Sequence, residues 1–264
     1  MNLVIGSSSQ LSHYFPKDYV KISSRNIKFD YLSDNHWDAT YITFAEQRIY
    51  DVNIDYITPN YLYTLKVINS LLNTSDKIVC YTSCELWNDL SEPISSDTTP
   101  KFSPITNEYS ISKLLLFNKV LELRKTNALY NKVIFAHPFY FNSVYRNKYF
   151  LFGKIFNSIV NKQQIKVGNL DFQRDMVHTN FVVKKSIEMT KDGVIGAGKL
   201  FNIRQFVKDL YQLNKMDFDY FVEEDISAPL SKPRLITANV DWDYSYETLL
   251  SDTQADILQM RELR

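Results

Sequence analysis

The spacing Tyr109-Ser110-Ile111-Ser112-Lys113 places a phenol and an ammonium one turn apart on the same face of a helix. A free phenol has a pKa of about 10 and is a poor acid or base at neutral pH. An ammonium fixed beside it stabilises the phenolate and moves the group toward the working range for proton transfer. By itself, however, such a pair is more often an ordinary contact on a helix surface.

A hydroxyl at the end of a predicted strand supplies a third candidate group. The apolar run at 77–82 predicts a buried strand that stops at Ser83. In a parallel sheet, the carboxyl ends of the strands face the ligand crevice. We therefore expect the Ser83 hydroxyl to lie near Tyr109.

The elements that must position these groups alternate along the chain. A first apolar run predicts a strand that ends at Gly6, and helices are predicted to begin at Pro59 and Tyr109. Further strands are predicted at 19–24, 40–44, 77–82 and 131–136. This alternation predicts an α/β fold, a doubly wound, Rossmann-like parallel sheet with helices on both faces.

The alternation weakens after residue 140, which suggests two parts. Residues 1–140 are predicted to form the dinucleotide-binding domain, and 141–264 mostly a small substrate-binding lobe with segments that return to the main sheet. Within this lobe we predict a helix at 154–161 and a strand at 198–203. The helix at 109–123 is predicted to be amphipathic. Its apolar stripe, which serves the core or a dimer interface, consists of Leu114, Leu115, Phe117, Val120 and Leu121.

Charge and composition exclude several classes of function. The 30 Lys and Arg balance 30 Asp and Glu, so we expect no nucleic-acid partner and no membrane partner. There is no apolar run of about 18 residues and no signal peptide, so we expect a cytoplasmic protein. Two cysteines and four histidines form no metal-ligand pattern, and His137 and His178 are expected to make structural hydrogen bonds.

Several motifs occur in one order with compatible spacing. Here the sequence resembles the extended short-chain dehydrogenase/reductase family, in the branch that modifies nucleotide-linked sugars. The resemblance runs from Leu3 to about Ile203. The segments that carry it are VIGSSSQLS at 4–12, Asn60 with Thr64, YTSCELW at 81–87, the Tyr109 and Lys113 pair, and NLDFQRDMVH at 169–178.

The resemblance implies a catalytic role for each of three side chains. Ser83 polarises the sugar carbonyl or hydroxyl, Tyr109 exchanges the proton, and Lys113 holds the nicotinamide ribose and favours the Tyr109 phenolate. Glu85 is implied as a further acid or base, or else as a polar residue that caps a loop.

The implied substrate is a nucleoside-diphosphate sugar. The resemblance implies that it contacts Ser83, Glu85, Tyr140 and Arg174, with the Arg174 guanidinium paired to the diphosphate, a geometry that guanidinium suits. It also implies a homodimer, in which the helix at 109–123 pairs with its copy.

The implied cofactor is NADP(H) in preference, with NAD possible. The implied cofactor contacts are Gly6, Ser8, Ser9, Gln10, Leu11, Arg25, Ala45, Asn60 and Lys113. Arg25 follows the second strand, where an arginine pairs with the adenosine 2′-phosphate in NADP-preferring relatives. Its alternative role is a solvated surface charge.

The chain departs from the family pattern at its glycines. It has only six, and Gly6 alone precedes residue 153, so a full G-x-G-x-x-G fingerprint is impossible in the first half. Ser9 and Ser12 stand where the family has its second and third glycines, and Asn88 replaces the glycine after Trp87. A serine at position 9 keeps the backbone farther from a pyrophosphate, although its hydroxyl can itself donate to a phosphate.

Three functions remain open from the sequence. We prefer a 4-keto reductase or epimerase that acts on a nucleoside-diphosphate sugar. A 4,6-dehydratase is the alternative, but it usually carries an Asp-Glu pair where this chain has Cys84-Glu85. The missing glycines favour a third possibility, a catalytically silent relative that binds a sugar nucleotide or a partner protein.

Overall fold

The computed structural model describes residues 1–48, 53–87, 93–100, 107–227 and 236–263. Asn88 and part of the loop that follows it lie outside these ranges. None of the described helices is long and apolar enough to cross a membrane.

Twelve short strands and eight α-helices are described. The strands are β1 (Asn2–Ile5), β2 (Val20–Ile22), β3 (Ala39–Ile42), β4 (Ile78–Tyr81), β5 (Val133–Pro138), β6 (Tyr140–Asn142), β7 (Ile165–Gly168), β8 (Gln173–Arg174), β9 (Met176–His178), β10 (Gly193–Ile195), β11 (Phe201–Asn202) and β12 (Val222–Asp225). The helices are α1 (Phe29–Ser33), α2 (Thr64–Leu71), α3 (Glu108–Arg124), α4 (Leu151–Asn161), α5 (Thr179–Glu188), α6 (Ile203–Leu213), α7 (Phe218–Phe221) and α8 (Tyr246–Glu262). A π-helical segment, Thr58–Tyr63, leads into α2, and 3₁₀ turns lie at Leu11–Tyr14, Cys84–Trp87 and Ala128–Lys132.

Six parallel strands form one sheet in the order β10-β5-β4-β3-β1-β2. The side chains of β1 at Leu3, Val4 and Ile5 are fully buried, as expected for a strand that is covered on both faces. Successive strands are added on one side of β1 and then on the other, so the order reverses there. The predicted α/β, Rossmann-like fold class is confirmed.

The chain divides into two compact units. The first contains Met1–Leu90, Ser96–Pro138 and Val183–Ile195, and the second contains Ser91–Ser95, Phe139–Val182 and Gly196–Arg264. The six-stranded sheet belongs to the first unit. Its last strand, β10, comes from a segment that returns to pair with β5 after a long excursion.

Helix α3 begins where the sequence predicts, because the Asn107 side chain accepts the Ser110 N–H at 2.8 Å and caps its first turn. The predicted amphipathic character is wrong. Ser110, Ser112 and Lys113 are buried in the first turns. Of the predicted stripe, Leu114, Phe117 and Val120 are buried, whereas Leu115 and Leu121 are half-exposed.

The second unit combines helices with three strand pairs: β6 with β9, β7 with β12, and β8 with β11. The predicted helix at 154–161 is present in α4 and begins three residues earlier. The predicted strand at 198–203 is mostly wrong, because only Phe201 and Asn202 are extended. The Asn202 side chain accepts the Gln205 N–H at 2.9 Å and so begins α6 at Ile203.

Candidate active site

The carboxyl edge of the sheet carries the turn at Gly6, which follows β1. Gly6 has φ +115°, and a Cβ there would lie 2.7 Å from Thr43 Oγ1 and 2.9 Å from the Phe44 nitrogen. Only glycine fits this conformation and this close approach to the end of β3. This explains why a glycine is required at position 6, although Ser9 and Ser12 replace the family's other two glycines.

The loop after Gly6 differs from the sequence expectation. The Ser9 hydroxyl donates to Thr43 Oγ1 at 2.9 Å and accepts the Ser12 N–H at 3.2 Å, so it is already committed within the protein. The idea that this hydroxyl donates to a phosphate is therefore wrong for this conformation. The helix that would face a phosphate is reduced to one 3₁₀ turn, Leu11–Tyr14.

Donors for an anion nevertheless remain in this loop. Ser8 is exposed, and neither its N–H nor that of Leu11 meets a backbone acceptor in the described part of the chain. The side chains of Gln10 and Leu11 are buried. The loop can thus offer backbone N–H groups to a phosphate, but without the dipole of a long helix.

Ser83 lies just beyond β4, where the sequence places it, and is half-exposed. Its Oγ accepts the Glu85 N–H at 3.2 Å, so the hydroxyl proton is available for an outside acceptor. Glu85 lies in the turn Cys84–Trp87 and is also half-exposed. Helix α3 packs against this turn. The edge of the sheet therefore offers one hydroxyl donor with a carboxylate nearby.

Lys113 is 2% exposed, and its Nζ donates to the Tyr81 carbonyl oxygen at 3.2 Å. Because this is its one hydrogen bond within the described residues, two of its N–H donors remain for a ligand. Burial lowers the pKa of Lys113 to about 8, so the group is still mostly an ammonium at neutral pH. Tyr81 is two residues from Ser83, so this bond brings Lys113 to the same strand end.

Tyr109 lies in the first turn of α3 and is 9% exposed. It precedes Lys113 by one helical turn, and the two side chains share a helix face. The positive end of the helix macrodipole favours negative charge at this position. The helix start and Lys113 thus both lie within one turn of Tyr109 along α3.

Asn60 is fully buried in the π-helical segment before α2. Its amide oxygen accepts the Glu46 N–H at 2.8 Å, and its nitrogen donates to the Glu46 carbonyl at 3.0 Å. Asn60 thus fixes the loop after β3, in which Ala45 is half-exposed. Arg25 follows β2 and is exposed, and its guanidinium meets no other group in the part of the chain that the structure describes.

The second unit brings together the two substrate-contact residues predicted there. The Arg174 guanidinium lies 5.0 Å from the ring centroid of Tyr140 and 4.7 Å from that of Phe172. Arg174 is 5% exposed, and its Nη1 donates to the Gln173 carbonyl at 2.7 Å. The two rings and the Gln173 carbonyl therefore hold the guanidinium in place.

The two buried histidines that the sequence singles out are each bonded to another side chain. His137 is bonded to Thr82 Oγ1, and burial lowers its pKa to about 4, while His178 Nε2 lies 2.9 Å from an Asp256 oxygen. Among described residues, the cluster that could share a metal ion is exposed and precedes β3 and β4, at the opposite edge of the sheet. It consists of His36, Asp38 and Asp76.

Two residues that the sequence did not single out have central roles. Ser112 links Asn60 to α3, and nothing in its position before Lys113 reveals this contact. Asp175 is buried, and its carboxylate accepts the N–H groups of Ala197, Gly198 and Ala238 at 2.6, 3.0 and 2.7 Å. Burial raises the pKa of Asp175 to about 6, against the opposing effect of these three donors. The Arg-Asp pair in the 169–178 segment is the only sequence signal for it.

Comparison with known proteins gives a family. The model of the GDP-mannose 4,6 dehydratase family matches residues 48–246, well over half of the chain. The match begins after the Gly6 loop, so the most divergent part of the predicted cofactor site lies outside it. No curated protein sequence matches the chain.

Solved structures with the same fold cover nearly the whole chain at low identity. RMD from Pseudomonas aeruginosa, complexed with NADPH, is 16% identical with a TM-score of 0.75, over 97% of this chain and 99% of that one. dTDP-glucose 4,6-dehydratase from Bacillus anthracis, in complex with NAD, is 16% identical with a TM-score of 0.73, over 99% and 98%. UDP-N-acetylglucosamine 4-epimerase from Methanobrevibacter ruminantium is 10% identical with a TM-score of 0.80, over 100% and 98%. Together with the family model, these results show that the chain belongs to the GDP-mannose 4,6 dehydratase family of extended short-chain dehydrogenases/reductases.

Proposed function

We propose that this protein is an NAD(P)-dependent enzyme that modifies a nucleoside-diphosphate sugar as a 4-keto reductase or epimerase. The observation that carries this proposal is the buried Lys113 ammonium, which has donors to spare one turn after Tyr109 and is bonded to the backbone just before Ser83. A buried ammonium with unused donors costs free energy unless a ligand accepts from it. The two hydroxyls of a ribose are suitable acceptors.

The described residues fit the nicotinamide half of a dinucleotide better than its pyrophosphate half. Lys113 would hold the ribose, and the N–H groups of Ser8 and Leu11, which meet no backbone acceptor among the described residues, would face the phosphates. Asn60 would keep the Ala45 loop in place. The bound dinucleotide would supply or accept a hydride.

The protein's own groups would handle the oxygen and its proton. In reduction, the Ser83 hydroxyl donates a hydrogen bond to the sugar carbonyl oxygen and polarises it. As hydride reaches the carbonyl carbon, the Tyr109 O–H bond breaks and its proton passes to that oxygen, which becomes the alcohol. The resulting phenolate is stabilised by Lys113 and by the positive end of α3. Arg174, flanked by Tyr140, would bind the diphosphate of the substrate.

Thermal unfolding with added ligands tests this function. Ligands that bind only the native state stabilise it by about 2.7 kcal/mol at a hundredfold excess over Kd. We expect NADPH or NADH, and at least one of UDP-, dTDP- and GDP-sugars, to raise Tm, with loss of reduced-nicotinamide absorbance when a 4-keto sugar nucleotide is added. Stabilisation by a sugar nucleotide but by no dinucleotide would instead support the function of a catalytically silent relative. This alternative is favoured by the Ser9 hydroxyl, which bonds Thr43 and is not available to a phosphate.

The alternative is a 4,6-dehydratase, which the family model equally supports. Dehydration requires carboxyl chemistry beside Ser83 and Tyr109, and Glu85, whose N–H donates to Ser83 Oγ, is the carboxylate that would supply it. A reductase or an epimerase that oxidises and re-reduces one carbon needs no such group. Glu85 therefore separates the two functions.

Replacing Glu85 with glutamine is expected to keep most of the activity on the true substrate, because the reductase or epimerase does not need this carboxylate. Turnover and dinucleotide affinity are measured for this variant and for Glu108→Gln, which removes an exposed charge at the start of α3. A loss of about 10²-fold in Glu85→Gln alone, with a 4-keto-6-deoxy product from the wild type, would establish dehydration instead.

Arg25 is expected to make the enzyme prefer NADP(H) to NAD(H). Its guanidinium is exposed and has no described partner, and the preceding residues, Ser23 and Ser24, cannot accept ribose hydroxyls as a carboxylate would. Loss of one charge-assisted hydrogen bond costs about 1.5–3 kcal/mol, or roughly ten- to a hundredfold in affinity. Arg25→Ala should thus weaken NADPH binding selectively in a titration, whereas Lys28→Ala should not. An equal loss for both dinucleotides would show that Arg25 is an ordinary surface charge.

A homodimer is also proposed. Leu62 is 52% exposed on the π-helical segment that packs against α3, where Leu115 and Leu121 are half-exposed. We expect light scattering to give about twice the 31.0 kDa chain mass, and Leu62→Glu to give the monomer because it places a charge in the interface. A monomeric wild type, or a dimer that tolerates this change, would contradict the proposed surface.

A further inference from the structure

A buried polar cluster joins the loop after β3 to the first turn of α3. The Asn60 side chain pairs with both the N–H and the carbonyl of Glu46, at 2.8 and 3.0 Å. Its nitrogen also donates to Ser112 Oγ at 3.1 Å, and the Ser112 hydroxyl donates to the Tyr109 carbonyl oxygen at 2.7 Å. One continuous chain of hydrogen bonds therefore runs from the loop to the backbone of Tyr109.

Every polar group of the Asn60 and Ser112 side chains makes a hydrogen bond in this network. The Asn60 oxygen accepts one bond and its two N–H groups donate one each, while the Ser112 hydroxyl both accepts and donates. Both side chains are fully buried, with 0% exposure. In such surroundings a completed network holds its members in one arrangement, and removal of one member leaves the next without a partner.

Tyr56, just before the π-helical segment, contacts the ring of Tyr109. The Tyr56 ring meets the Tyr109 ring edge to face, with centroids 6.1 Å apart and an interplanar angle of 73°. The Tyr56 carbonyl accepts the Asn60 N–H at 3.1 Å, and the Tyr56 hydroxyl donates to the Arg48 carbonyl at 3.0 Å. Tyr109 is thus held at its backbone and at its ring from one side.

We propose that Ser112 is a positioning residue for Tyr109, which it holds in register with the loop at Ala45 and Glu46 through Asn60. The inference rests on the proposed function in that Tyr109 is taken as the proton donor. Because Ser112 is 0% exposed, its side chain would touch neither substrate nor cofactor. Small displacements of a reacting group are costly, since a misplacement of about 1 Å can lower a rate about 10²-fold. Loss of the Ser112 hydroxyl can therefore slow the proton transfer by displacing Tyr109.

Ser112→Ala tests this role, and Ser186→Ala is its matched control. Ser186 is also fully buried in a helix of the first unit, donates to the carbonyl three residues earlier, Val183, at 2.8 Å, and bonds a second side chain, Tyr81. The two changes therefore remove the same kind of hydroxyl. Only one of them borders Tyr109.

The first readout needs no substrate. In full-length protein labelled with ¹³Cζ-tyrosine, the Tyr109 signal is the one that disappears in Tyr109→Phe. We expect Ser112→Ala to shift or broaden this signal by more than one linewidth and Ser186→Ala to leave it unchanged. The second readout is the single-turnover rate of hydride transfer, expected to fall about tenfold in Ser112→Ala with sugar-nucleotide affinity within about twofold of wild type.

An unchanged Tyr109 signal in Ser112→Ala overturns the proposal, whatever the rate does. If the wild type binds no dinucleotide and shows no turnover, the proposed function fails, while the tyrosine signal still decides whether Ser112 positions Tyr109. Should the alanine variant not fold, Ser112→Cys replaces it, because a thiol has a similar size but bonds more weakly. The same shift of the Tyr109 signal is then expected, and its absence again overturns the proposal.

Discussion

Tyr109→Phe is expected to lower turnover by about 10²–10⁴-fold, with the fold and the dinucleotide affinity retained. The change removes only the hydroxyl, so the edge contact with the Tyr56 ring and the helix start at Asn107 remain. The substrate carbonyl would still be polarised by Ser83, but no group would supply the proton as hydride arrives. Steady-state turnover and a dinucleotide titration on the same preparation measure the two effects separately.

Tyr130→Phe is the matched control for this change. Tyr130 is a buried tyrosine of the same unit, and its hydroxyl donates to Asn69 Oδ1 at 2.6 Å, away from the candidate site. It should keep turnover within a few-fold of wild type. Turnover of Tyr109→Phe that is equally close to wild type would show that Tyr109 is not the proton donor, and another group would have to be sought beside Ser83.

Local sequence patterns are sufficient to predict the edge of the sheet at which the candidate site lies. Gly6 and Ser83 each follow an apolar run, and parallel strands place their carboxyl ends on one side. Tyr109 and Lys113 are related by helix geometry alone, and Asn107 supplies a local cap. These features depend on contacts within a few residues, so a single sequence shows them.

The features that the sequence did not predict depend on distant residues. The Ser9 hydroxyl is taken by Thr43, which is 34 positions later in the chain, and no pattern around Ser9 indicates this. The π-helical segment at Thr58–Tyr63 packs on α3, and its Asn60 bonds the buried Ser112. Lys113 is buried with its Nζ bonded to the Tyr81 carbonyl oxygen. Such partners appear only when the sheet has brought separate segments together.

The second unit was the least predictable part for the same reason. Its strands are only two to four residues long and pair across long stretches of chain, as Phe201 pairs with Arg174. The loops between these strands are held by hydrogen bonds to buried polar side chains, as those of Asp175 show. Its three bonds join the turn at 196–198 and the segment near Ala238 to the end of β8.

Asp175→Ala is therefore expected to lower the free energy of unfolding by at least about 3 kcal/mol. Each buried N–H left without an acceptor costs about 1–3 kcal/mol, and the change leaves those of Ala197, Gly198 and Ala238 without their shared carboxylate. The measurement is made at pH 8, above the Asp175 pKa of about 6, so that the wild-type group is ionised and accepts at both oxygens.

Urea denaturation followed by fluorescence compares this variant with Asp171→Ala, which removes an exposed carboxylate four positions earlier. The control should change the free energy of unfolding by no more than about 0.5 kcal/mol. Asp175→Asn should fall between the two, because its single amide oxygen still accepts while its NH₂ group faces an N–H. A loss below about 1 kcal/mol in Asp175→Ala would mean that water or a rearranged backbone satisfies these N–H groups. The carboxylate would then not be what holds the 196–198 turn and the Ala238 segment beside β8.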